Sequence, residues 1–440
     1  MLRSLENRGT RASHELSVRG AVLFDERDLG LATELVYGIL RHRSVIDFHL
    51  ERLAGRPKES IDTNLLAPLR VGLYQLLYLD RIPPFAAVNE SVRIAASTEK
   101  PESTGFVNAV LRRAARDRSV LQPPAAVGES SAALALCHSM PEWIVARWLR
   151  RWGARETRAL LEAFGRPSRP SLWVPQETRE ELAREMASAG IVSEPSRFLP
   201  GSLRILRGNP ARTPYFAQGK GYLQDEASQA VPLLLGAGRG ERVLDLCAAP
   251  GGKSFVLASA VGPEGQVVAV DRDLSRLGVL RSNRDRLRFP WVHPVAADLQ
   301  EKASPLLGLY SAILLDAPCT GTGTLGRRPE IRWRRNPRDL ESLVERQLQL
   351  LERAADLLAP GGRLVYSVCS LEPEEGESII EAFLHEHPDF ALGDPGPWLP
   401  ESLRHAVTEK GYFMTWPPRD NMDGFFAARL ERQARAHVSP

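Results

Sequence analysis

The chain has 440 residues, of which 43% are hydrophobic and 25% charged, so it has enough apolar material for two or three globular domains. Its net charge is +3, its isoelectric point is about 8.7, and arginine is the main cation. Arginine suits contacts with nucleic acid, but a genome rich in G and C also favours it, so both interpretations stay open. No apolar run approaches the roughly 18 residues of a membrane span, and residues 1–10 lack the apolar stretch of a signal peptide. We expect a cytoplasmic protein that makes no membrane contact.

The N-terminal part carries the periodicity of helices. From about residue 10 to 120, apolar residues such as Leu69, Leu73 and Leu76 follow helical spacing, and strand signals are scarce. The stretch at 121–139 has the composition of a linker. We therefore predict an all-α domain over residues 1–140.

The rest of the chain changes character twice. Residues 141–235 mix short strand-like pieces, helices and many turn residues, which predicts a small α/β connector domain. From 236 to 435, helical stretches separate short apolar strands, which predicts an α/β domain with a Rossmann-like, mostly parallel sheet and helices on both faces. The strands of this sheet are expected at 243–246, 267–270, 312–315 and 364–366.

A glycine-rich loop follows the first of these strands. Residues Asp245 to Lys253 read Asp-Leu-Cys-Ala-Ala-Pro-Gly-Gly-Lys and open a helix, and ligands of open parallel sheets lie at the carboxyl ends of strands. Gly251 and Gly252 let the backbone approach a ligand closely. Asp271 ends the second strand, where an acid can accept hydrogen bonds from ribose hydroxyls, and Asp298 follows the third strand-like run on the adenine side. A tight turn and a helix cap are the alternative, but the combination favours a nucleoside cofactor.

Other cofactors fit this loop less well. A P-loop would need glycine where Cys247 stands, and the G-x-G-x-x-G fingerprint of nicotinamide-binding proteins is missing. The four cysteines form no C-x-x-C pair, so we expect neither a metal site nor a disulfide framework.

Two cysteines follow later strands of the same sheet. Cys319 lies in Asp316 to Gly323, and Cys369 lies in Val365 to Ser370. One buried cysteine at a strand end is usually a core residue, but two on the ligand face indicate thiol chemistry. C5 of cytosine becomes nucleophilic when a thiolate adds to C6, and a second group must then assist release. Asp316 is placed to stabilise the charge that develops at N3 and N4.

The segment after Cys319 interleaves one aromatic residue with arginines. It reads Gly-Arg-Arg-Pro-Glu-Ile-Arg-Trp-Arg-Arg over residues 326–335. Arginines and a tryptophan can neutralise phosphates and stack on bases, so we predict an RNA-contacting surface here. A solvated basic loop is the alternative.

At these residues the chain resembles a known family. Asp245 to Lys253, Asp316 to Gly323, and Cys369 within Tyr-Ser-Val-Cys-Ser resemble the signature motifs of the RNA 5-methylcytosine methyltransferases (Sun/Nop2/NSUN type). The resemblance implies a Rossmann-like S-adenosylmethionine-dependent methyltransferase domain in which Cys369 is the nucleophile and Cys319 assists product release. DNA cytosine methyltransferases instead use the Pro-Cys thiol as nucleophile, so Cys369 favours RNA. By the same resemblance, the residues that bind S-adenosylmethionine are Cys247, Ala248, Ala249, Pro250, Gly251, Gly252, Lys253, Asp271, Asp298 and Asp316.

The N-terminal half is similar to the NusB-like helical RNA-binding domain of the bacterial members that act on 16S ribosomal RNA. The similarity lies in Ala32 to Arg41, Val88 to Val92 and Gly105 to Arg113, and Gly221 to Ser228 and Asp423 to Ala427 extend it. The family usually has Leu-Arg-Val-Asn where this chain has Leu-Trp-Val-Pro over residues 172–175. This departure puts the role of the missing arginine and asparagine in doubt.

Together these patterns predict methyl transfer to C5 of one cytidine in 16S ribosomal RNA through a covalent adduct between Cys369 and C6. The same chemistry on transfer RNA is one alternative. A non-catalytic RNA-binding assembly or antitermination factor is another, although the pair of cysteines argues against it. Small-subunit ribosomal RNA is the expected partner, and we expect a monomer without a metal ion.

Overall fold

The computed structural model describes residues 12, 16, 26–97, 103–117, 121, 128–174, 179–299, 301 and 308–434. The predictions that concern residues 1–10, the linker stretch at 122–127 and Pro175 lie outside these residues. The chain divides into two compact units. The first consists of Met1–Arg166 and Leu325–Asn336, and the second of Pro167–Thr324 and Pro337–Pro440.

The first unit is built from helices, which confirms the all-α prediction for this part of the chain. Asp62 caps the second of these helices by accepting a hydrogen bond from the Asn64 N–H at 2.8 Å, and Pro84 occupies the first turn of the third, where its missing N–H costs nothing. The helices are α1 (Glu26–Ala54), α2 (Thr63–Tyr78), α3 (Pro84–Ala96), α4 (Thr104–Arg116), α5 (Ser131–Cys137) and α6 (Glu142–Gly165).

A buried ion pair lies within the apolar core of this helical unit. Leu69 and Leu73 of α2 are fully buried, as the helical spacing of the sequence predicts. Beside them Arg70 donates two hydrogen bonds to the carboxylate of Asp47, at 2.7 and 2.9 Å, so neither buried charge is left without a partner. Among the described residues, no helix is both long enough and apolar enough to cross a membrane.

The second unit begins with a small antiparallel sheet. Its order is β2 (Val192–Pro195), β3 (Ser202–Arg207), β1 (Ser171–Trp173) and β4 (Tyr222–Leu223). Its core includes Leu172, Leu203 and Ile205 of the strands together with Leu182 and Met186 of a helix. The elements of this part are β1 (Ser171–Trp173), α7 (Arg179–Ser188), β2 (Val192–Pro195), β3 (Ser202–Arg207), α8 (Pro214–Ala217), β4 (Tyr222–Leu223) and α9 (Glu226–Ala230).

A larger sheet of eight strands follows. Its order is β10 (Phe390–Gly393), β12 (Phe426–Arg432), β9 (Leu358–Val368), β8 (Tyr310–Asp316), β5 (Arg242–Leu246), β6 (Gln266–Asp271) and β7 (Val292–Ala296), with β11 (Phe413–Met414) paired to β12. The strands β5 to β9 run parallel, and β10 to β12 add an antiparallel edge. The elements are β5 (Arg242–Leu246), α10 (Gly252–Val261), β6 (Gln266–Asp271), α11 (Leu274–Leu287), β7 (Val292–Ala296), β8 (Tyr310–Asp316), α12 (Pro337–Asp356), β9 (Leu358–Val368), α13 (Glu377–Glu386), β10 (Phe390–Gly393), β11 (Phe413–Met414), α14 (Pro417–Asp420) and β12 (Phe426–Arg432).

Alternate side chains of the central strands enter two separate cores. Val243 and Ala312 belong to a cluster that includes residues of α10 and α11. Their chain neighbours Leu244 and Ile313 belong to another cluster, which includes residues of α12 and α13. Because successive side chains of a strand point to opposite faces, a strand that is apolar throughout needs helices on both faces. This confirms the predicted fold class.

Candidate active site

The carboxyl ends of β5, β8 and β9 meet at one edge of the large sheet. Leu246 at the end of β5 pairs with Leu315 of β8, and Asp316 at the end of β8 pairs with Ser367 of β9. The loops that leave these strands therefore start side by side. They bring Cys247 to Lys253, Cys319 and Cys369 to the same edge, as the sequence predicts.

The two cysteine thiols lie in direct contact. The Sγ atoms of Cys319 and Cys369 are 3.3 Å apart. The hydrogen bond to Cys369 and burial both raise the pKa of the Cys319 thiol well above its usual range. Either sulfur can be the donor in this contact, and the raised pKa, which keeps the proton on Cys319, makes the Cys319 S–H able to donate to Cys369 Sγ.

Cys247 is a different kind of thiol. Burial, with the Asp271 carboxylate nearby, raises its pKa to about 12. It lies against the sheet core and has a positive φ of 59° at the start of the loop. This protonated thiol is unsuited to nucleophilic attack.

A charged pair stands beside the thiols. Lys253 Nζ donates to Asp316 Oδ2 at 2.8 Å, and Ser367 Oγ donates to Asp316 Oδ1 at 2.9 Å. Lys253 Nζ also lies 3.1 Å from Ser228 Oγ and 5.0 Å from the centre of the Phe425 ring. The lysine side chain is 8% exposed but the Asp316 side chain is 31% exposed, so the carboxyl can still reach a ligand.

The loop between β5 and α10 has the conformation of a close-approach ligand loop. Gly251 has a φ of 104°, and a Cβ there would lie 2.7 Å from the Phe255 ring, so only glycine fits. The Ala248 N–H bonds Val270 O at 2.9 Å, and the Ala249 N–H bonds the Asp271 carboxylate at 3.1 Å. These bonds hold the loop across the ends of β5 and β6, where it could hold a nucleoside cofactor.

The structure places the two predicted ribose-side and adenine-side acids next to each other. Asp271 is 5% exposed, and besides Ala249 its carboxylate accepts from the Asp273 N–H at 2.9 Å and lies 3.4 Å from Arg276 Nη1. The Ala297 N–H donates a hydrogen bond to the Asp271 carbonyl oxygen. Asp298 follows Ala297 in sequence and therefore lies near Asp271. The Asp298 carboxylate is partly exposed and lies 3.7 Å from Arg272 Nη1.

Two buried acids at this edge were not singled out from the sequence. Asp245 is fully buried in β5, and its Oδ2 accepts from Ser254 Oγ at 2.5 Å. No described residue donates to its Oδ1, and burial raises the pKa of Asp245 to about 7. An unsatisfied buried oxygen beside this loop fits a cofactor that carries hydrogen-bond donors, because donors would satisfy it. The sequence feature that could have revealed Asp245 is an aspartate within an otherwise apolar strand.

The second acid, Glu375, lies between the loop that carries Cys319 and the loop that carries Cys369.

The prediction of an RNA surface over residues 326–335 is wrong for Arg332. Arg332 is 1% exposed, and its guanidinium donates to the backbone carbonyls of Arg41, His138, Ser139, Phe164 and Leu325. Trp333 Nε1 donates to Leu40 O at 2.7 Å, and Arg43 stacks on its indole. Both side chains fix the segment Leu325–Asn336 within the helical unit, and the buried Arg332 is not available to phosphates or bases.

Three family patterns from known proteins match successive parts of the chain. The sequence pattern of the family described as 16S rRNA methyltransferase RsmB/F matches residues 232–431. The NusB family pattern matches residues 5–116, and that of a ferredoxin-like domain of RsmF/B-like methyltransferases matches residues 140–212.

Whole-chain relatives extend these matches. A probable ribosomal RNA small subunit methyltransferase B of Synechocystis is 35% identical over 92% of this chain and 91% of its own length. A protein of the same name from Bacillus subtilis is 33% identical over 93% of this chain and 91% of its own length. The solved structure of PH0851 superposes with a TM-score of 0.83 at 28% identity, covering 98% of this chain and 97% of that one. The chain therefore belongs to the ribosomal RNA small subunit methyltransferase B family and is an S-adenosylmethionine-dependent methyltransferase.

Proposed function

We propose that this enzyme methylates C5 of one cytidine in 16S ribosomal RNA through a covalent bond between Cys369 Sγ and C6 of the base. The observation that carries the proposal is the contact of the two thiols, 3.3 Å apart, next to the Lys253–Asp316 pair. This reaction needs three chemical groups: a nucleophile, a second thiol that assists release, and an acidic group that faces the edge of the base.

Each of these groups has one task. Cys369 Sγ attacks C6, and the hydrogen bond from Cys319 favours its thiolate form beforehand. Asp316 faces N3 and N4 of the base. In its acid form it donates a hydrogen bond to N3 and so stabilises the negative charge that develops there on addition, while Lys253 holds the carboxyl group in place. When bound, S-adenosylmethionine supplies the methyl group that C5 accepts.

Cys319 then assists release. A water molecule takes the C5 proton, the electron pair of the C5–H bond re-forms the C5–C6 double bond, and the bond between Cys369 Sγ and C6 breaks, which restores the aromatic ring. The sulfur departs with negative charge, and the Cys319 S–H lies within hydrogen-bonding distance to stabilise it. The raised pKa of Cys319 keeps that proton on its sulfur for this purpose.

The cofactor is held by the loop and the acids at the ends of β5 and β6. We assign the ribose hydroxyls to Asp271 and the adenine side to Asp298. The loop backbone and Asp316 complete the set. We also assign the unsatisfied Asp245 Oδ1 to a donor of the cofactor. The remaining residues assigned to this site are Cys247, Ala248, Ala249, Pro250, Gly251, Gly252 and Lys253.

The substrate and setting follow from the relatives. Their names specify the small ribosomal subunit, and the NusB-like part of this chain supplies a separate unit that we assign to RNA binding. One chain holds both thiols and the cofactor loop, so we propose that the enzyme acts as a monomer. We also propose that it acts in the cytoplasm. The domain boundaries at residues 140 and 235 remain predictions.

The test separates the two thiols. Unmodified 16S ribosomal RNA and S-adenosylmethionine are incubated with wild type, Cys369→Ala and Cys319→Ala. Cys369→Ala should transfer no methyl group and form no adduct. Cys319→Ala should attack and methylate but fail to release, so a protein–RNA adduct should survive denaturing electrophoresis.

RNA that carries 5-fluorocytidine identifies the attacking sulfur, because fluorine at C5 cannot leave as a proton. Wild type should be trapped through Cys369, as mass spectrometry of the linked peptide would show. A link at Cys319 would reverse the assignment. Absence of any adduct would refute the covalent mechanism, and methylation of transfer RNA instead of 16S ribosomal RNA would change the substrate. Absence of methylation on either RNA would favour a non-catalytic assembly factor.

A further inference from the structure

A buried carboxyl group and a buried amide hold the two chain neighbours of Cys319. Glu375 Oε1 accepts from the Thr320 N–H at 2.8 Å, and its Oε2 accepts from the Thr320 hydroxyl. Gln347 Nε2 donates to Pro318 O at 2.9 Å and to Glu375 Oε1 at 2.9 Å. The backbone on each side of Cys319 is therefore tied to a linked pair of side chains.

The same hydrogen bonds continue to the loop of Cys369. The Thr320 and Thr322 hydroxyls each lie 3.1 Å from Ser370 Oγ, next in sequence to Cys369. The Gly323 N–H donates to Cys369 O at 3.1 Å. We call the set Glu375, Gln347, Thr320, Thr322 and Ser370 the Glu375 network. It joins the two loops that carry the thiols.

The Glu375 network is buried throughout. Glu375, Gln347 and Thr320 are 0% exposed, and Ser370 is 1% exposed. Burying a carboxyl group is unfavourable for folding unless hydrogen-bond donors surround it. An apolar side chain would fill the same space at a smaller cost in free energy. Burial raises the pKa of Glu375, and its hydroxyl and amide donors act in the opposite direction. The carboxyl thus does something at this place that packing alone would not require.

We propose that Glu375, together with Gln347, is a positioning residue that holds the Cys319 thiol against Cys369 for the release step. The inference rests on the proposed covalent mechanism. Glu375 bonds directly to Thr320, the neighbour of Cys319. Cys369 directly follows strand β9 and its carbonyl accepts from the Gly323 N–H, so it has supports besides its neighbour Ser370 of the Glu375 network. Loss of the carboxyl therefore displaces Cys319 more than Cys369, and release suffers more than attack.

The experiment compares attack with release in the full chain. Single-turnover methyl transfer and the amount of adduct are measured with unmodified 16S ribosomal RNA for wild type, Glu375→Ala, Glu375→Gln and Glu374→Ala. Glu375→Ala should bind S-adenosylmethionine normally and still methylate in a single turnover. Its adduct should persist, and multiple turnover should fall about 10–100-fold, as expected when a reacting group is misplaced by about 1 Å.

The conservative variant separates positioning from general damage. In the Glu375→Gln variant, the oxygen of the new side chain can accept a hydrogen bond from the Thr320 N–H. The NH2 group of the same side chain can donate to the Thr320 hydroxyl. Its turnover should therefore stay within about threefold of wild type. Glu374→Ala, which changes the adjacent acid, is the matched control and should behave as wild type. If Glu375→Ala fails to fold, Gln347→Ala removes the bond to Pro318 and should show the same selective defect in release.

Each result bears on the proposal. Normal release by Glu375→Ala or, where that variant fails to fold, by Gln347→Ala would overturn it. A parallel loss of cofactor binding, attack and release would show a purely structural role and would overturn it too. These outcomes leave the covalent mechanism intact if wild type is still trapped by 5-fluorocytidine and Cys319→Ala still accumulates adduct. If wild type forms no adduct at all, the proposed function and this inference fail together.

Discussion

At the scale of single residues, the site raises the pKa of several acidic groups. The hydrogen bond to Cys369, together with burial, raises the pKa of the Cys319 thiol well above its usual range, and burial raises that of Cys247 to about 12. The Asp245 carboxyl has a pKa of about 7 for the same reason. A thiol at a strand end is therefore not a nucleophile by position alone, since it needs a donor or a cation to ionise. The Cys319 thiol lies within hydrogen-bonding distance of Cys369 Sγ and can be such a donor, as the roles proposed for the two cysteines require.

The raised pKa of Asp245 makes a prediction for the unliganded protein. In the unfolded chain this carboxyl ionises near pH 3.9, but in the folded protein it does so only near pH 7. The stability that this group contributes is complete below about pH 4 and is lost as the pH rises toward 7. Asp245→Asn cannot ionise, so its free energy of unfolding relative to wild type should rise between pH 4.5 and 7.5, by on the order of 2–4 kcal/mol.

Denaturant unfolding at several pH values measures this difference. Ser254→Ala removes the hydroxyl that bonds Asp245 Oδ2, and it should move the transition to still higher pH because ionised Asp245 loses a donor. A constant difference between Asp245→Asn and wild type across this pH range would contradict the prediction.

At the scale of elements, the segment Leu325–Asn336 follows the Cys319 loop in sequence and packs within the helical unit. Arg332 anchors it through five backbone carbonyls, the shortest of these bonds being 2.6 Å to Phe164 O. Burial lowers the pKa of Arg332 to about 9, so it is still protonated at neutral pH. A planar guanidinium with several N–H donors is suited to bind many carbonyls at once, and no other side chain can replace it.

Arg332→Ala should therefore destabilise the helical unit. The substitution leaves several carbonyls without donors and opens a cavity, and each unsatisfied buried group costs about 1–3 kcal/mol. We expect a total loss of at least about 3 kcal/mol, and Arg332→Lys should recover only part of it because a lysine donates from one nitrogen. Thermal unfolding followed by tryptophan fluorescence measures the loss. Arg335→Ala, in the same segment but only half-buried, should cost less, and an unchanged midpoint for Arg332→Ala would show that the anchor is dispensable.

The same elements show which features a sequence can and cannot reveal. The parallel strands were predictable because Val243 to Leu246 and Ala312 to Leu315 are short apolar runs followed by loop residues. The edge where Cys319 and Cys369 meet follows from the rule for parallel strands. The environment of Arg332 was not predictable, because its acceptors come from α1 and from residues near 138 and 164, far away in sequence. The link from Glu375 to Thr320 likewise spans 55 positions, so local motifs do not contain it.

At the scale of the whole molecule, the chemistry and one cluster of exposed arginines belong to different units. Both thiols and the cofactor loop lie in the second unit. In the helical unit, the guanidinium of Arg52 lies over the Phe48 ring at 5.6 Å, and that of Arg56 over Phe106 at 4.4 Å. Arg113 of α4 donates to Leu53 O, so the arginines at the end of α1 and those of α4 share one surface. Exposed arginines held on aromatic rings can bind phosphates and stack on bases.

If this surface binds ribosomal RNA, neutralising it should change binding without changing the chemistry. The double variant Arg52→Ala/Arg56→Ala should bind 16S ribosomal RNA more weakly, and the plot of log affinity against log salt should flatten by about 1.4–1.8, since each phosphate contact contributes about 0.7–0.9. Affinity for S-adenosylmethionine and single-turnover methyl transfer at saturating RNA should stay as in wild type. Arg93→Ala is the matched control, because this exposed arginine of α3 already pairs with Glu90 at 2.9 Å. An unchanged salt slope for the double variant would remove this surface from RNA binding and would direct the search to the remaining exposed arginines of the helical unit.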